Sequence, residues 1–328
     1  MGVYHLMGLG RSVGAVTGPI SYLAHRYQRW SAEDQAFFFG SGEVVQRSRG
    51  EKVGDVEALV LFTTREVITA KDERGSDLFC FEYYANKPGA RGGFRKEPRP
   101  MRKALREELR NIWPGINDRR YGTIYWCEVD RRSLLAAYER IAKVVIALAS
   151  SGGQGKEQWA NLTSGNNVLN LALQLAANIS GEVARLYYVQ APDQESEQCA
   201  CFTEPEGYWV DIPAMPLALR DIQWDILVLL QEKSPLPADV IYSTLQSSGR
   251  HWEELAQMQL PEFLDLCLDP LWKQRLIEGN KDAYRLGRQW PAVRPFREIL
   301  AQARSERLVI DELCERYDWI AKEELELR

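Results

Sequence analysis

The chain has 328 residues, 45% of them apolar and 27% charged, the balance of a folded protein long enough for two domains. Forty-one Lys and Arg face 46 Asp and Glu, a net charge of −5, which excludes a protein that coats nucleic acid through bulk positive charge. A disordered tail, a collagen-like chain and a small disulfide scaffold are excluded by the same composition.

The first predicted element is a short apolar strand, Val3 to Met7. Gly8-Leu9-Gly10-Arg11-Ser12-Val13-Gly14 follows, then a helix from about Ala15 to Trp30 with Val16, Ile20, Leu23 and Tyr27 on one face. Strand, glycine turn and helix open an α/β unit. Glu57 to Phe62 is a continuous apolar run of the kind buried in a parallel sheet, and Thr123 to Val129 gives another strand. Between them, residues 86–120 read as a basic insertion. Arg91 to Arg120 holds ten Lys/Arg against four Asp/Glu, with one short helix near Met101 to Ile112. A long helix from about Arg131 to Ala149 leads to a strand that runs into Asn161-Leu162-Thr163-Ser164-Gly165-Asn166-Asn167. The next helix carries Val168, Leu171, Leu175 and Ile179 on one side, and strands at Leu186 to Val189 and Tyr208 to Ile212 complete the domain. This alternation predicts an α/β, Rossmann-like, largely parallel sheet with helices on both faces over residues 1–215.

From Leu217 the pattern turns helical: Leu219 to Glu232, Pro237 to Leu245, Leu260 to Leu268 and Pro270 to Ile277. A hairpin over Ile277 to Leu286, turning at Gly279-Asn280, follows. Helices with a hairpin predict a winged-helix-like domain over residues 216–290. Residues 291–328 form a tail, expected as an amphipathic helix or helix pair that presents Leu300, Leu313, Tyr317 and Ile320 to a domain or subunit contact.

No run approaches the ~18–20 apolar residues that a membrane span requires. MGVYHLMGLGRS at the start is too short in its apolar core and too rich in glycine for a signal peptide. Of six cysteines, only Cys199 and Cys201 stand close, with no histidine near them. The expectation is reduced thiols in the cytoplasm, with no metal site and no cofactor.

Two loops connect a strand to a helix, Gly8 to Gly14 and Thr163 to Asn167. In a doubly wound sheet, ligands sit at the carboxyl ends of the strands, where helix N-termini aim free N–H groups at anions. Side by side, the two loops would make a phosphate-binding floor, with Ser12, Thr163, Ser164, Asn166 and Asn167 supplying hydroxyls and amides. Gly8-x-Gly10-x-x-x-Gly14 misses the dinucleotide spacing G-x-G-x-x-G by one residue, and no acidic residue stands at a convincing strand end about 20 residues on. The P-loop sequence is absent as well. The plain alternative leaves these glycines as turn formers.

Gly10-Arg11-Ser12-Val13-Gly14-Ala15-Val16-Thr17 resembles the first motif of CRISPR-associated Rossmann fold (CARF) domains. Asn161 to Asn167 resembles their second motif, usually Asn-x-Thr-Gly-Gly-Thr-Lys. Ile212-Pro213, leading to Pro216-Leu217, is similar to the exit by which such domains pass to a winged helix. The resemblance implies a homodimeric sensor of cyclic oligoadenylate, the second messenger of type III CRISPR antiviral defence, of the ring-nuclease type. It implies ligand contacts from Gly8, Gly10, Arg11, Ser12, Val13, Asn161, Thr163, Ser164, Gly165, Asn166 and Asn167. A ring of four adenylates is favoured over six, lying across the two-fold axis of the dimer. Its ribose hydroxyls and phosphates would be read by Ser, Thr, Asn and backbone N–H groups.

Ring nucleases of this kind cut without metal: a ribose 2′-hydroxyl attacks the adjacent phosphodiester and leaves a 2′,3′-cyclic phosphate. They supply a serine from the first loop, matched by Ser12, and a lysine closing the second motif, where this chain has Asn167. Arg11, or an arginine of the basic insertion, is the candidate to restore the missing charge. His5, His25 and His251 do not complete the Arg–His pattern of a HEPN ribonuclease, and His5 reads as a packed core residue. Two alternatives stand beside the nuclease, a non-catalytic sensor and a ligand-responsive DNA-binding regulator. DNA binding is disfavoured because Leu219 to Trp290 carries eight Lys/Arg against eleven Asp/Glu, whereas phosphate contacts carry nucleic-acid affinity.

Overall fold

The computed structural model describes residues 2–39, 55–72, 74–77, 100–116, 120–151, 156–163, 165–190, 209–213 and 219–327. The chain divides into two compact units, Met1–Pro216 with Ile299–Arg328, and Leu217–Glu298. The strands in chain order are β1 (Gly2–Gly8), β2 (Asp55–Thr63), β3 (Tyr121–Glu128), β4 (Glu157–Asn161), β5 (Arg185–Val189), β6 (Trp209–Ile212), β7 (Ile277–Asn280), β8 (Ala283–Leu286) and β9 (Ile320–Glu326). Seven of them form the sheet of the first unit, in the order β6-β5-β4-β1-β2-β3-β9. β1 to β5 run parallel, and β6 and β9 close the two edges antiparallel.

β1 is buried along its whole length at the centre of this sheet, which is why its sequence is nearly continuous in apolar residues. Among the described residues before β6, the helices that accompany it are α1 (Gly14–Arg29), α2 (Ala32–Phe39), α3 (Arg65–Thr69), α4 (Met101–Ile112), α5 (Leu134–Ser151) and α6 (Asn167–Ser180). α1 and α4 cover one face and α5 and α6 pack together on the other. The order climbs β1-β2-β3 to one side and β4-β5 to the other, so the loops after β1 and β4 leave toward opposite faces. Their carboxyl ends part at this point, where open α/β sheets bind ligands.

Residues 101–116 are not an insertion. Parallel β2 and β3 need a crossover, and α4 provides it, burying Met101, Ala104, Leu105, Leu109 and Ile112 in the core. The rest of the expected basic insertion, at 86–99 and 117–119, lies outside the described residues. The tail also differs from expectation. It forms a helix, α12 (Trp290–Glu306), a short helix, α13 (Ile310–Arg316), and then the edge strand β9. Arg102 and Arg106 of α4 both pair with Glu323 of β9, and Trp126 Nε1 donates to the same carboxylate at 3.0 Å.

In the second unit, α7 (Asp221–Lys233), α8 (Ala238–Ser248) and α9 (Trp252–Leu255) precede α10 (Leu260–Phe263). A π-helical turn over Leu264–Leu268 continues α10 into α11 (Asp269–Lys273), and the β7–β8 hairpin follows. Ile226, Leu230, Ile241, Phe263, Leu268, Leu271 and Ile277 form the core of this winged-helix-like unit. The hairpin turns at Lys281-Asp282 instead of Gly279-Asn280, because Gly279 pairs with Tyr284 and Asn280 with Ala283. Gly279 is nonetheless required. Its φ is +110°, and a Cβ there would lie 2.1 Å from the Ala283 carbonyl oxygen.

Two buried ionisable groups of the first unit, His5 and Asp34, are respectively neutral and compensated. His5 is fully buried, with Nδ1 3.0 Å from the Tyr187 hydroxyl. Burial, aided by the positive charge of Arg185, pushes its pKa down to about 3, so it is a neutral core residue as its place in β1 suggested. Asp34 is buried too, and burial alone would raise its pKa. Hydrogen bonds from Arg29 and from Ser31 overcome that and hold the carboxylate well below its usual range. No helix among the described residues is long and apolar enough to cross a membrane.

Candidate functional site: a cavity at the carboxyl edge

The loops after β1 and β4 abut. Gly165 has a φ of +112°, and a Cβ built on it would stand 3.3 Å from Gly8 Cα. A side chain at Gly165 would strain this backbone and crowd both Gly8 Cα and Asn170 Oδ1. Beside this contact a cavity of about 580 Å³ opens over the carboxyl ends of β4, β1, β2 and β3. Leu9, Gly10 and Arg11 line it from the loop after β1, and Asn166 and Leu169 from the start of α6. Nothing lies within 4 Å of a Cβ built on Gly10, so that backbone is open to a ligand.

The wall farther along the sheet was not anticipated. Thr64, Glu66 and Val67 line the cavity just after β2, Asp72 and Arg74 come from the turn beyond α3, and Arg131 and Arg132 follow β3. Among the described residues, four arginines and two carboxylates therefore line one opening. Asp72 serves its own turn, accepting the Arg74 N–H at 2.9 Å and the Ser76 N–H at 2.7 Å. Glu66 is different: a hydrogen bond from Thr64 holds its pKa below the usual carboxylate range against partial burial, with Arg131 and Arg132 adding to the effect. The described lining residues carry an excess of positive charge, as a site for a phosphate-bearing ligand requires.

The sequence-predicted residues divide into three groups. Gly10, Arg11 and Asn166 line the cavity, and Gly8 and Gly165 form the contact between its loops. Ser12 and Asn167 stand at the starts of α1 and α6 without lining this volume. Val13, Asn161 and Thr163 hold the fold instead. Val13 is packed in the core, and its carbonyl accepts the Val16 and Thr17 N–H groups. Asn161 is buried, and its Oδ1 accepts the Thr163 N–H at 2.7 Å. Thr163 Oγ1 takes the Val189 N–H at 2.7 Å, tying β4 to β5. Asn166 also caps α6, accepting the Leu169 N–H at 2.9 Å. Ser164, Cys199 and Cys201 lie outside the described residues. Of the arginines in the expected basic insertion, Arg102 and Arg106 are engaged with Glu323, and Arg91, Arg95, Arg99 and Arg119 lie outside the described residues.

Fold and cavity together define a doubly wound α/β protein with an arginine-rimmed cavity at its topological switch point, joined to a winged-helix-like unit. No protein-family model matches the chain. An uncharacterized protein of Archaeoglobus fulgidus is 29% identical over 243 residues, spanning 72% of this chain and 68% of that protein. Among solved structures, protein VC1899 from Vibrio cholerae aligns over 99% of this chain and 76% of its own at 11% identity, with a TM-score of 0.29. A superposition at that level says nothing of function.

Proposed function

We propose that this protein binds cyclic oligoadenylate, cyclic tetra-adenylate above all, as a homodimer, and cleaves it without metal. One observation carries the reading: Arg11, Arg74, Arg131 and Arg132 ring a cavity formed where the two glycine-bearing loops meet. Backbone N–H groups and arginines are the groups that bind phosphodiesters. A volume of about 580 Å³ is that of a small-ligand site and suits part of a cyclic tetranucleotide. An isologous pair of such sites would hold the ring between two protomers.

In the cleavage step a ribose 2′-oxygen bonds to the adjacent phosphorus as the P–O5′ bond breaks. The 2′-hydroxyl proton is lost, the 5′-oxygen gains one, and a 2′,3′-cyclic phosphate remains. Arg11, lining the cavity from the first loop, supplies the charge that Asn167 does not bring, and Ser12, next to it in the same loop but off the cavity wall, would meet the phosphate only at the cavity's edge. Incubation with labelled cyclic tetra-adenylate tests both parts. Retention with a linear product, slowed in Ser12→Ala, is the expected result. Retention without product over hours reduces the protein to a sensor, and no retention ends the proposal.

A further inference from the structure

The dinucleotide fingerprint includes an acidic residue at the end of the second strand that accepts a hydrogen bond from a ribose hydroxyl. The sequence offers no such residue at the expected spacing, because β2 begins only at Asp55. Folded, however, β2 ends at Thr63, and Glu66 follows on the cavity wall beside β1. Its carboxylate is ionised, and the arginines around it are placed for phosphates. A carboxylate is a poor neighbour for a polyanion, and in a site built from arginines it weakens phosphate binding unless, beyond the Thr64 hydrogen bond it already accepts, the ligand itself offers it a donor. A 2′-hydroxyl is the donor that accompanies every phosphate of a ribonucleotide ring and none of a deoxyribonucleotide ring.

We propose that Glu66 reads the ribose 2′-hydroxyl of the bound nucleotide, so that the cavity selects ribonucleotide rings over deoxyribonucleotide rings. This rests on the cyclic-nucleotide reading of the cavity and adds its sugar specificity. The rival role for Glu66 is to order Arg131 and Arg132 as an ion-pair partner, and the two roles diverge on substitution. Loss of a hydroxyl acceptor weakens only the ribo ring, while loss of a negative charge strengthens both rings alike.

Calorimetric titration of the full chain with cyclic tetra-adenylate and its all-deoxy counterpart, for wild type and Glu66→Ala, separates these outcomes. A hydrogen bond to an ionised acceptor is worth about ten- to hundredfold in affinity. Wild type should prefer the ribo ring by at least about tenfold, and Glu66→Ala should abolish that preference, because the lost acceptor acts on the ribo ring alone while the lost charge acts on both rings alike. Equal binding of both rings by wild type overturns the role of Glu66 and leaves the cyclic-nucleotide reading intact. A preference that survives in Glu66→Ala does the same. Binding of neither ring by wild type overturns the reading of the cavity itself, and the role of Glu66 with it. Because Glu66 lies on the cavity wall and not in the core, Glu66→Ala should melt within about 2 °C of wild type.

Discussion

Two sets of arginines distinguish two regions of the first unit. Arg102 and Arg106 on α4 converge on Glu323 of β9, and the Arg102 guanidinium lies 5.1 Å from the centre of the Trp126 ring. Arg131 and Arg132, on the loop after β3, instead stand exposed on the wall of an open cavity with Glu66. The first set is taken up within the fold, whereas the second lines a cavity that a ligand can reach. Basic charge in the sequence is therefore no guide to a binding site until the fold shows where its partners are.

The sharpest break of this contrast is a pair of double variants. Arg131→Ala with Arg132→Ala should weaken cyclic tetra-adenylate binding by at least about tenfold per residue and flatten its salt dependence, with the melting temperature little changed. Arg102→Ala with Arg106→Ala should do the reverse, lowering the melting temperature and sparing affinity. Calorimetry at two salt concentrations and a thermal melt check both, and equal loss of affinity in the two pairs would erase the contrast. Glu323→Ala is the next largest effect. It leaves the buried Trp126 N–H without its acceptor, a cost of about 1–3 kcal/mol visible in denaturant unfolding, with ligand affinity unchanged.

The two loops were legible because glycines and Asn-rich turns between a strand and a helix have few other structural meanings. Roles within them were less so: Asn161 and Thr163 have the right chemistry for a ligand, yet their polar atoms close the turn and tie β4 to β5. Arg131 and Arg132 were absorbed into a helix predicted from Arg131. The helix begins at Leu134, after Ser133, whose Oγ accepts the Ala136 N–H at 3.2 Å. A serine three residues before that N–H was the available signal. β9 was hidden by its chemistry. Ile320, Glu323, Leu325 and Leu327 are buried, and the buried glutamate breaks the apolar alternation that marks a strand. Its partners Arg102 and Arg106 lie more than 200 residues earlier in the chain, beyond any local pattern.

The interior side of the contrast can be sharpened by acid. Asp34 has its pKa lowered in the folded state, so its contribution to stability is present above the ordinary carboxylate range, near ~4, and is lost as pH falls below it. Asp34→Asn should flatten that acid limb in urea unfolding followed between pH 5 and pH 2.5. An unchanged limb would mean that Arg29 and Ser31 do not compensate this charge.

His5 gives the smallest effect, and its sign follows from the same linkage. The folded state keeps it neutral down to about pH 3, while the unfolded chain takes up a proton near pH ~6.5. Between those values unfolding binds a proton, so stability falls as pH falls. At pH 5.5 the loss is about 1 kcal/mol, or roughly 3 °C in melting temperature for a unit of this size. His5→Gln can still meet the Tyr187 hydroxyl but has no proton to gain. It should melt with a shallower pH dependence than wild type between pH 7 and pH 5, whatever its stability at neutral pH. Parallel curves for the two would mean that the sheet interior accommodates a charge at His5. The distinction between a rim that carries charge and an interior that excludes or pairs it would then fail at its most buried point.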